Sequence, residues 1–92
     1  MVYNMAYVYI LQSAKNGRYY VGSTEDITTR LYAHNSGGVK ATKNLLPVKI
    51  VFKQEYSDYT VAHKIERKLK KLKRRDYIEK IIKDGNIRMA GD

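Results

Sequence analysis

Two tyrosines, an arginine, a histidine and one isolated carboxylate are the side chains here whose types and spacing could do chemistry. Tyr9 and Tyr20 lie in the apolar runs 5–11 and 19–23, on either side of the polar stretch Ser13-Ala14-Lys15-Asn16-Gly17. Alternate residues of a strand face the same way. Tyr7, Tyr9 and Leu11 therefore share a face, as do Arg18, Tyr20 and Gly22. Tyrosines in such places often fill the core side of a sheet, and that use stays open beside a chemical one. Arg30 and His34 stand at i and i+4, so on a helix they are surface neighbours. Glu66 is the only acidic residue between Asp58 and Asp76. It lies four after Ala62 and three before Leu69, at the border of an apolar stripe. A carboxylate near a core edge needs a partner. Lys70, one helical turn on, offers an ordinary ion pair; a divalent cation is the other option.

The elements that must position these groups can be read in order. Strand-like runs around a loop with Asn-Gly form a β-hairpin. A two-residue turn at Asn16-Gly17 sets Tyr20 opposite Ser13, and a longer loop sets it opposite Tyr9. Both registers leave Tyr9 and Tyr20 on one face. Ser23-Thr24-Glu25-Asp26 has the Ser/Thr-x-x-Asp/Glu form of a helix start. It is followed by a helix over 26–35 with Ile27 and Leu31 turned to the sheet and His34 at the border of that face. Ser36-Gly37-Gly38 stops it. The stretch up to Leu46, with Lys40, Thr42 and Lys43, lacks periodicity and reads either as a phosphate-approaching loop or as a plain mobile one. Pro47 opens a third strand in which Val48, Ile50 and Phe52 alternate with Lys49 and Lys53, a pattern that Val51 breaks. A second helix over 59–74 carries the stripe Val61, Ile65, Leu69, Leu72. A third over 76–84 turns Ile78, Ile81 and Ile82 inward and ends at Gly85. Residues 1–4 read as a lead-in and the tail from Asn86 as frayed. The fold class is α+β: a three-stranded antiparallel sheet flanked by helices, in the order β-β-α-β-α-α, in one domain of 92 residues with its core over about 5–84.

Composition narrows the chemistry. There are no cysteines, which removes disulfides, thiolate zinc sites and cysteine nucleophiles. With two histidines, a histidine cage is excluded, but an oxygen-ligand site for Mg²⁺ or Mn²⁺ is not. No apolar run approaches the roughly 20 residues of a membrane span, and no secretory pattern is visible, so the cytoplasm is expected. Eighteen Lys and Arg stand against nine Asp and Glu, with nine tyrosines interleaved. That combination suits nucleic acid, whose phosphates meet the cations and whose bases stack on rings. It suits equally a binder without turnover, or a basic helix that meets an acidic protein.

Taken together, these residues resemble the GIY-YIG nuclease superfamily. Tyr7-Val8-Tyr9 and Tyr20-Val21-Gly22 occupy the places of its two motifs, with ten residues between Tyr9 and Tyr20. The likeness continues through Gly22-Ser23-Thr24, Arg30-Leu31, His34-Asn35 and Glu66. It is greatest toward small single-domain bacterial members and the catalytic domain of structure-specific junction nucleases. The resemblance implies hydrolysis of DNA phosphodiester bonds with one Mg²⁺ or Mn²⁺ ion, in DNA repair or recombination. It assigns Glu66 to the metal and Tyr9 to activation of water. Arg30 goes to the scissile phosphate, Tyr20 to orientation, His34 to proton relay, and Gly22 to close backbone approach. Lys40, Lys43, Lys64, Arg67, Lys70, Lys71, Lys73 and Arg74 would contact nucleic acid, DNA before RNA. A protein partner for targeting is left open, as is the oligomeric state. The chain departs from the pattern at Tyr7, where the motif has glycine, and at Thr29, where some relatives have lysine. It has no counterpart of a later asparagine and no cysteine-rich zinc module.

Overall fold

The structure, a computed structural model, describes residues 5–89; the expected lead-in at 1–4 and the last three residues lie outside them. Strand β1 (Ala6–Ser13) is the middle of a three-stranded antiparallel sheet, between β2 (Tyr19–Thr24) and β3 (Val48–Tyr56). Helix α1 (Ile27–Asn35) covers one face. Helices α2 (Tyr59–Leu72) and α3 (Arg75–Asp84) cover the other. The element order is the expected β-β-α-β-α-α, with a single 3₁₀ turn (Lys43–Leu45) before β3.

The hairpin register falls midway between the two expected ones. Tyr20 pairs with Leu11, and Tyr9 with Gly22, so the two tyrosines are diagonal neighbours and not side by side. The loop is the cause. Ser13 Oγ accepts the amides of Lys15 and Asn16, Asn16 Oδ1 accepts that of Arg18, and Gly17 turns at φ 75°. These bonds close a four-residue loop, between the two lengths expected, and preserve the parity that puts both tyrosines on one face.

Strand β3 departs further. Its pairing to β1 slips between Ile10 and Leu11, so that Ile10 opposes Phe52 while Leu11 opposes Ile50. Val51 is the extra residue of a bulge, which explains why it breaks the alternation. Past it the strand changes sides: Val48 and Ile50 pack under α1, and Phe52 packs under α2 and α3.

The helix starts also differ in detail. Asp26, not Ser23, caps α1, accepting the amide of Thr29 at 3.1 Å and its hydroxyl at 2.8 Å. Asp58 caps α2 through the amide of Val61. Helix α2 buries Ala62, Ile65 and Leu69, whereas Leu72 is largely exposed. It ends at Leu72 because Lys73 turns left-handed. The segment after Gly85 does not fray at once. Ile87 is buried, and Gln54 holds both its amide and its carbonyl.

Candidate active site at the β2 edge

Four of the five candidate residues meet between the sheet and α1. Tyr9 rises from the central strand and is 2% exposed. Its ring occupies the place of the side chain its partner lacks. A Cβ on Gly22 would fall 2.9 Å from Tyr9 Cε2 and nearer still to Cζ and the hydroxyl. The sequence reading gives Gly22 to a nucleic-acid contact, but in the structure it is buried, and the space it leaves is filled by Tyr9.

The Asp26 cap starts α1 so that Arg30 and His34 follow at one-turn intervals on the flank facing the tyrosines. His34 is fully buried. Its Nε2 lies 2.9 Å from Tyr9 Oη and its Nδ1 lies 2.7 Å from Thr42 Oγ1. The tautomer follows from the neighbours. Arg30, a pure donor, lies near the Tyr9 hydroxyl and favours its oxygen as an acceptor. The phenol hydrogen then needs an acceptor, and His34 Nε2 is the one in reach. Nδ1 must carry the imidazole hydrogen and donate it to Thr42, whose own hydroxyl donates to Val39 O at 3.4 Å. The His34 ring also stands edge-on to both tyrosines, at centroid distances of 5.8 Å and 5.2 Å.

Electrostatics agree with this direction. Burial, with the charges of Arg30 and Lys70 added, pushes the His34 imidazole down to about 4, so at neutral pH it is an uncharged acceptor. Burial also pushes the Tyr9 phenol above its ordinary value. Arg30 pulls it back, while Tyr20 and Glu66 add to the rise. The proton therefore rests on Tyr9 and the lone pair on His34, already joined by a hydrogen bond. Arg30 is exposed, and on one side its charge lies near the two tyrosine hydroxyls. On the other it lines a cleft of about 360 Å³ with Ser23, Thr24, Glu25, Asp26 and Tyr59.

Glu66 comes from the opposite face of the sheet and reaches the same place around the β2 edge. Its Oε1 accepts a hydrogen bond from Ser23 Oγ, and its Oε2 pairs with Lys70 Nζ at 2.7 Å. That ammonium lies 4.8 Å from the centre of the Tyr20 ring. Glu66 influences Tyr9 through its field, and it meets Tyr20 by way of Lys70. The cationic candidates divide. Lys70, Lys73 and Arg74 line a second cleft beside Tyr20, while Lys64, Arg67 and Lys71 are exposed on α2, and Lys40 and Lys43 on the loop after α1. Two partners escaped the sequence reading. Ser23 fits a helix start by pattern, and Thr42 sits in an aperiodic loop where nothing signals burial. The loop is not a plain mobile one, since Thr42 anchors it to His34.

A family model described as the GIY-YIG catalytic domain matches residues 5–81. The chain belongs to the GIY-YIG family. Among similar GIY-YIG relatives, a UPF0213 protein of Streptococcus pneumoniae is 43% identical over 70 residues, covering 75% of this chain and 70% of the relative. One from Bacillus licheniformis is 38% identical over 86 residues, 89% of this chain and 88% of its own. One from Clostridium perfringens is 37% identical over 87 residues, 89% and 92% respectively. No solved structure matches significantly. The geometry gives the two GIY-YIG motifs a joint reason. Tyr9, the last residue of one, faces Gly22, the last of the other, and the ring fits only because the glycine has no side chain.

Proposed function

We propose that this GIY-YIG protein is a nuclease that hydrolyses phosphodiester bonds, in DNA before RNA, with one Mg²⁺ or Mn²⁺ ion, and that it serves DNA repair or recombination. The observation that carries the reading is the buried proton path Tyr9–His34–Thr42 set beside the Arg30 guanidinium. A scissile phosphate pairs with Arg30, which faces the open cleft. Drawing that guanidinium toward the phosphate frees a lone pair of Tyr9 Oη for the attacking water. As water oxygen bonds to phosphorus, its proton passes to Tyr9 Oη, while the phenol proton passes to His34 Nε2. The imidazolium is held by its Nδ1–H donating to Thr42. The phosphate also neutralises the Arg30 charge that now lowers the affinity of His34 for that proton. This relay makes no demand for a resting phenolate. Tyr20, edge-on to the His34 ring, helps hold that ring in position.

The donor set fits a hard cation. Among the described residues no group of three His, Cys, Asp or Glu could enclose an ion, but Mg²⁺ keeps most of its waters and needs only one or two carboxylates. Glu66 would hold it, with Ser23 fixing one carboxylate oxygen. The Lys70 ammonium now compensates the other. When bound there, the ion supplies positive charge to the phosphate and the departing 3′ oxygen. Lys40, Lys43 and the cations of α2 follow the backbone of the substrate strand.

The test is a cleavage assay with Mg²⁺ or Mn²⁺ on single strands, duplexes, flaps and junctions, with Glu66→Ala beside the parent. The parent is expected to cut and the variant not to. Equal cutting by both removes the nuclease reading. Salt-dependent binding with no cutting by the parent would make the protein a binding module of the same fold.

A further inference from the structure

Beside the candidate active site, on the far side of Tyr20, the structure has a second cleft, of about 370 Å³, between β2 and the junction of α2 with α3. Its volume is in the range of small-ligand sites. Val21, Leu69 and Ile78 give it an apolar lining, to which Tyr19 and Tyr20 also contribute. Cations supply the rest of the lining, and no Asp or Glu contributes. Lys70, Arg74 and Arg75 pair with Glu66, Asp76 and Glu79, and Arg75 and Lys70 also lie over the rings of Tyr19 and Tyr20, 4.7 Å and 4.8 Å from their centres. Arg18 and Lys73 have no acidic partner among the described residues. An apolar lining with aromatic rings suits a nucleobase, and free cations at the rim suit the phosphate attached to it.

Lys73 gives a second, independent indication. It ends α2 in the left-handed region, at φ 51° and ψ 40°, a position that favours glycine. Helix α3 uses glycine at the same position: Gly85, at φ 79°. Helix α2 instead places a lysine there and points it into the rim of the cleft. A residue kept in a disfavoured backbone conformation, where its side chain lines a site, is a mark of use over stability.

We infer that this cleft is a subsite for one unpaired nucleotide of the substrate strand. Its base lies on Tyr19 in place of the Arg75 guanidinium, with Tyr20 at the edge of the cleft, and its phosphate lies on Lys73 and Arg18. A base inside a duplex is covered on both faces and paired on its edge, so only an unpaired or extruded one can enter. The cleft and the active site share Tyr20 and Lys70, so a nucleotide seated here adjoins the phosphate at Arg30. The inference deepens the nuclease reading and rests on it for the identity of the ligand, but its test does not depend on turnover.

The test is fluorescence anisotropy in EDTA, comparing a blunt DNA duplex with the same duplex carrying one bulged nucleotide. The parent is expected to bind the bulged duplex about tenfold more tightly, as one base stacked on a ring allows. Lys73→Gly and Tyr19→Leu should each bring the two affinities together by weakening only the bulged complex. Thermal unfolding should show Lys73→Gly no less stable than the parent, because glycine suits that backbone position. Equal affinity of the parent for both duplexes overturns the subsite. So does a preference that survives Lys73→Gly, or a loss that falls equally on both duplexes. A bulge preference without metal-dependent cleavage would leave the subsite standing and remove the nuclease reading; cleavage without the preference would do the reverse.

Discussion

The two faces of the sheet are built from different materials. Under α2 and α3 the sheet presents Ala6, Val8, Ile10, Val21 and Phe52 to Ala62, Ile65, Leu69, Ile78 and Ile81, an apolar layer throughout. Under α1 the buried layer is smaller, Tyr9, Leu11 and Val48, with Tyr20, Ile27 and Leu31 partly buried around it. At its heart are two fully buried polar side chains, His34 and Thr42. Burying a polar group without a partner costs roughly 1–3 kcal/mol. Here that cost is offset by complete pairing, since no buried side-chain nitrogen or oxygen of the described residues lacks a hydrogen bond. A three-stranded sheet thus separates two tasks. One face supplies most of the cohesion, and the other holds the hydrogen-bonded chain Tyr9–His34–Thr42.

The largest effects should separate the faces most cleanly. Tyr9→Phe is expected to slow cleavage by about 10²–10⁴-fold, the usual share of a proton-transfer group. Its stability cost should be only about 1–3 kcal/mol, from the stranded Nε2 of His34. Ile65→Ala should show the opposite pattern, losing about 2–5 kcal/mol in urea unfolding while each folded molecule cuts at near the parent rate. If Tyr9→Phe proved as destabilising as Ile65→Ala and still cut, the division of labour would be lost.

Acid should act mainly through the α1 face. The folded value of His34 is about 4, against an ordinary 6.5. As pH falls below 6.5 the unfolded chain takes up the proton first, so His34's contribution is complete above that pH. It is lost as pH falls to about 4, for a total of about 3 kcal/mol. Urea unfolding between pH 7 and pH 4 should therefore be steeper in pH for the parent than for His34→Gln. Matching pH profiles would mean that His34 titrates normally in the folded protein. The Ile65→Ala penalty should be the same at either end of that range.

The smallest effect lies at the boundary between the faces. Lys70 competes for the Glu66 oxygen that a cation would take. Lys70→Met should tighten Mn²⁺ binding by about tenfold, measured by titration calorimetry, and should change stability by under about 1 kcal/mol, as for other part-exposed pairs. Unchanged or weaker binding would place the ion away from Glu66.

What the sequence revealed follows from how local each determinant is. Parity along β1 and β2, the i and i+4 placement of Arg30 and His34, and the border position of Glu66 are set by the repeat of a single element, and all were legible. The hairpin register was not, because it depends on whether the Ser13 hydroxyl caps the loop. The side change in β3 was signalled by Val51 but not interpretable without its partner strand. Ser23 fitted a helix start by pattern; its hydroxyl instead turns to a carboxylate 43 positions away. Thr42 gave no signal, because its burial depends on a histidine from another element. In the α2 stripe Ile65 and Leu69 are buried as expected; only its ends differ, where small Ala62 is buried beside half-buried Val61 and Leu72 is exposed.

One strand belongs to both faces at once. Along β2, Tyr19 lines the nucleotide cleft, Tyr20 meets His34, Val21 enters the apolar core, Gly22 clears space for Tyr9, and Ser23 holds Glu66. Consecutive residues thus serve alternate sides, and a shift of one position exchanges every assignment. Substitutions within β2 can be judged site by site. A change in its length cannot: losing one residue would carry Ser23 toward α1, turn Gly22 toward Glu66 and set a side chain against the ring of Tyr9, spoiling both faces in a single event.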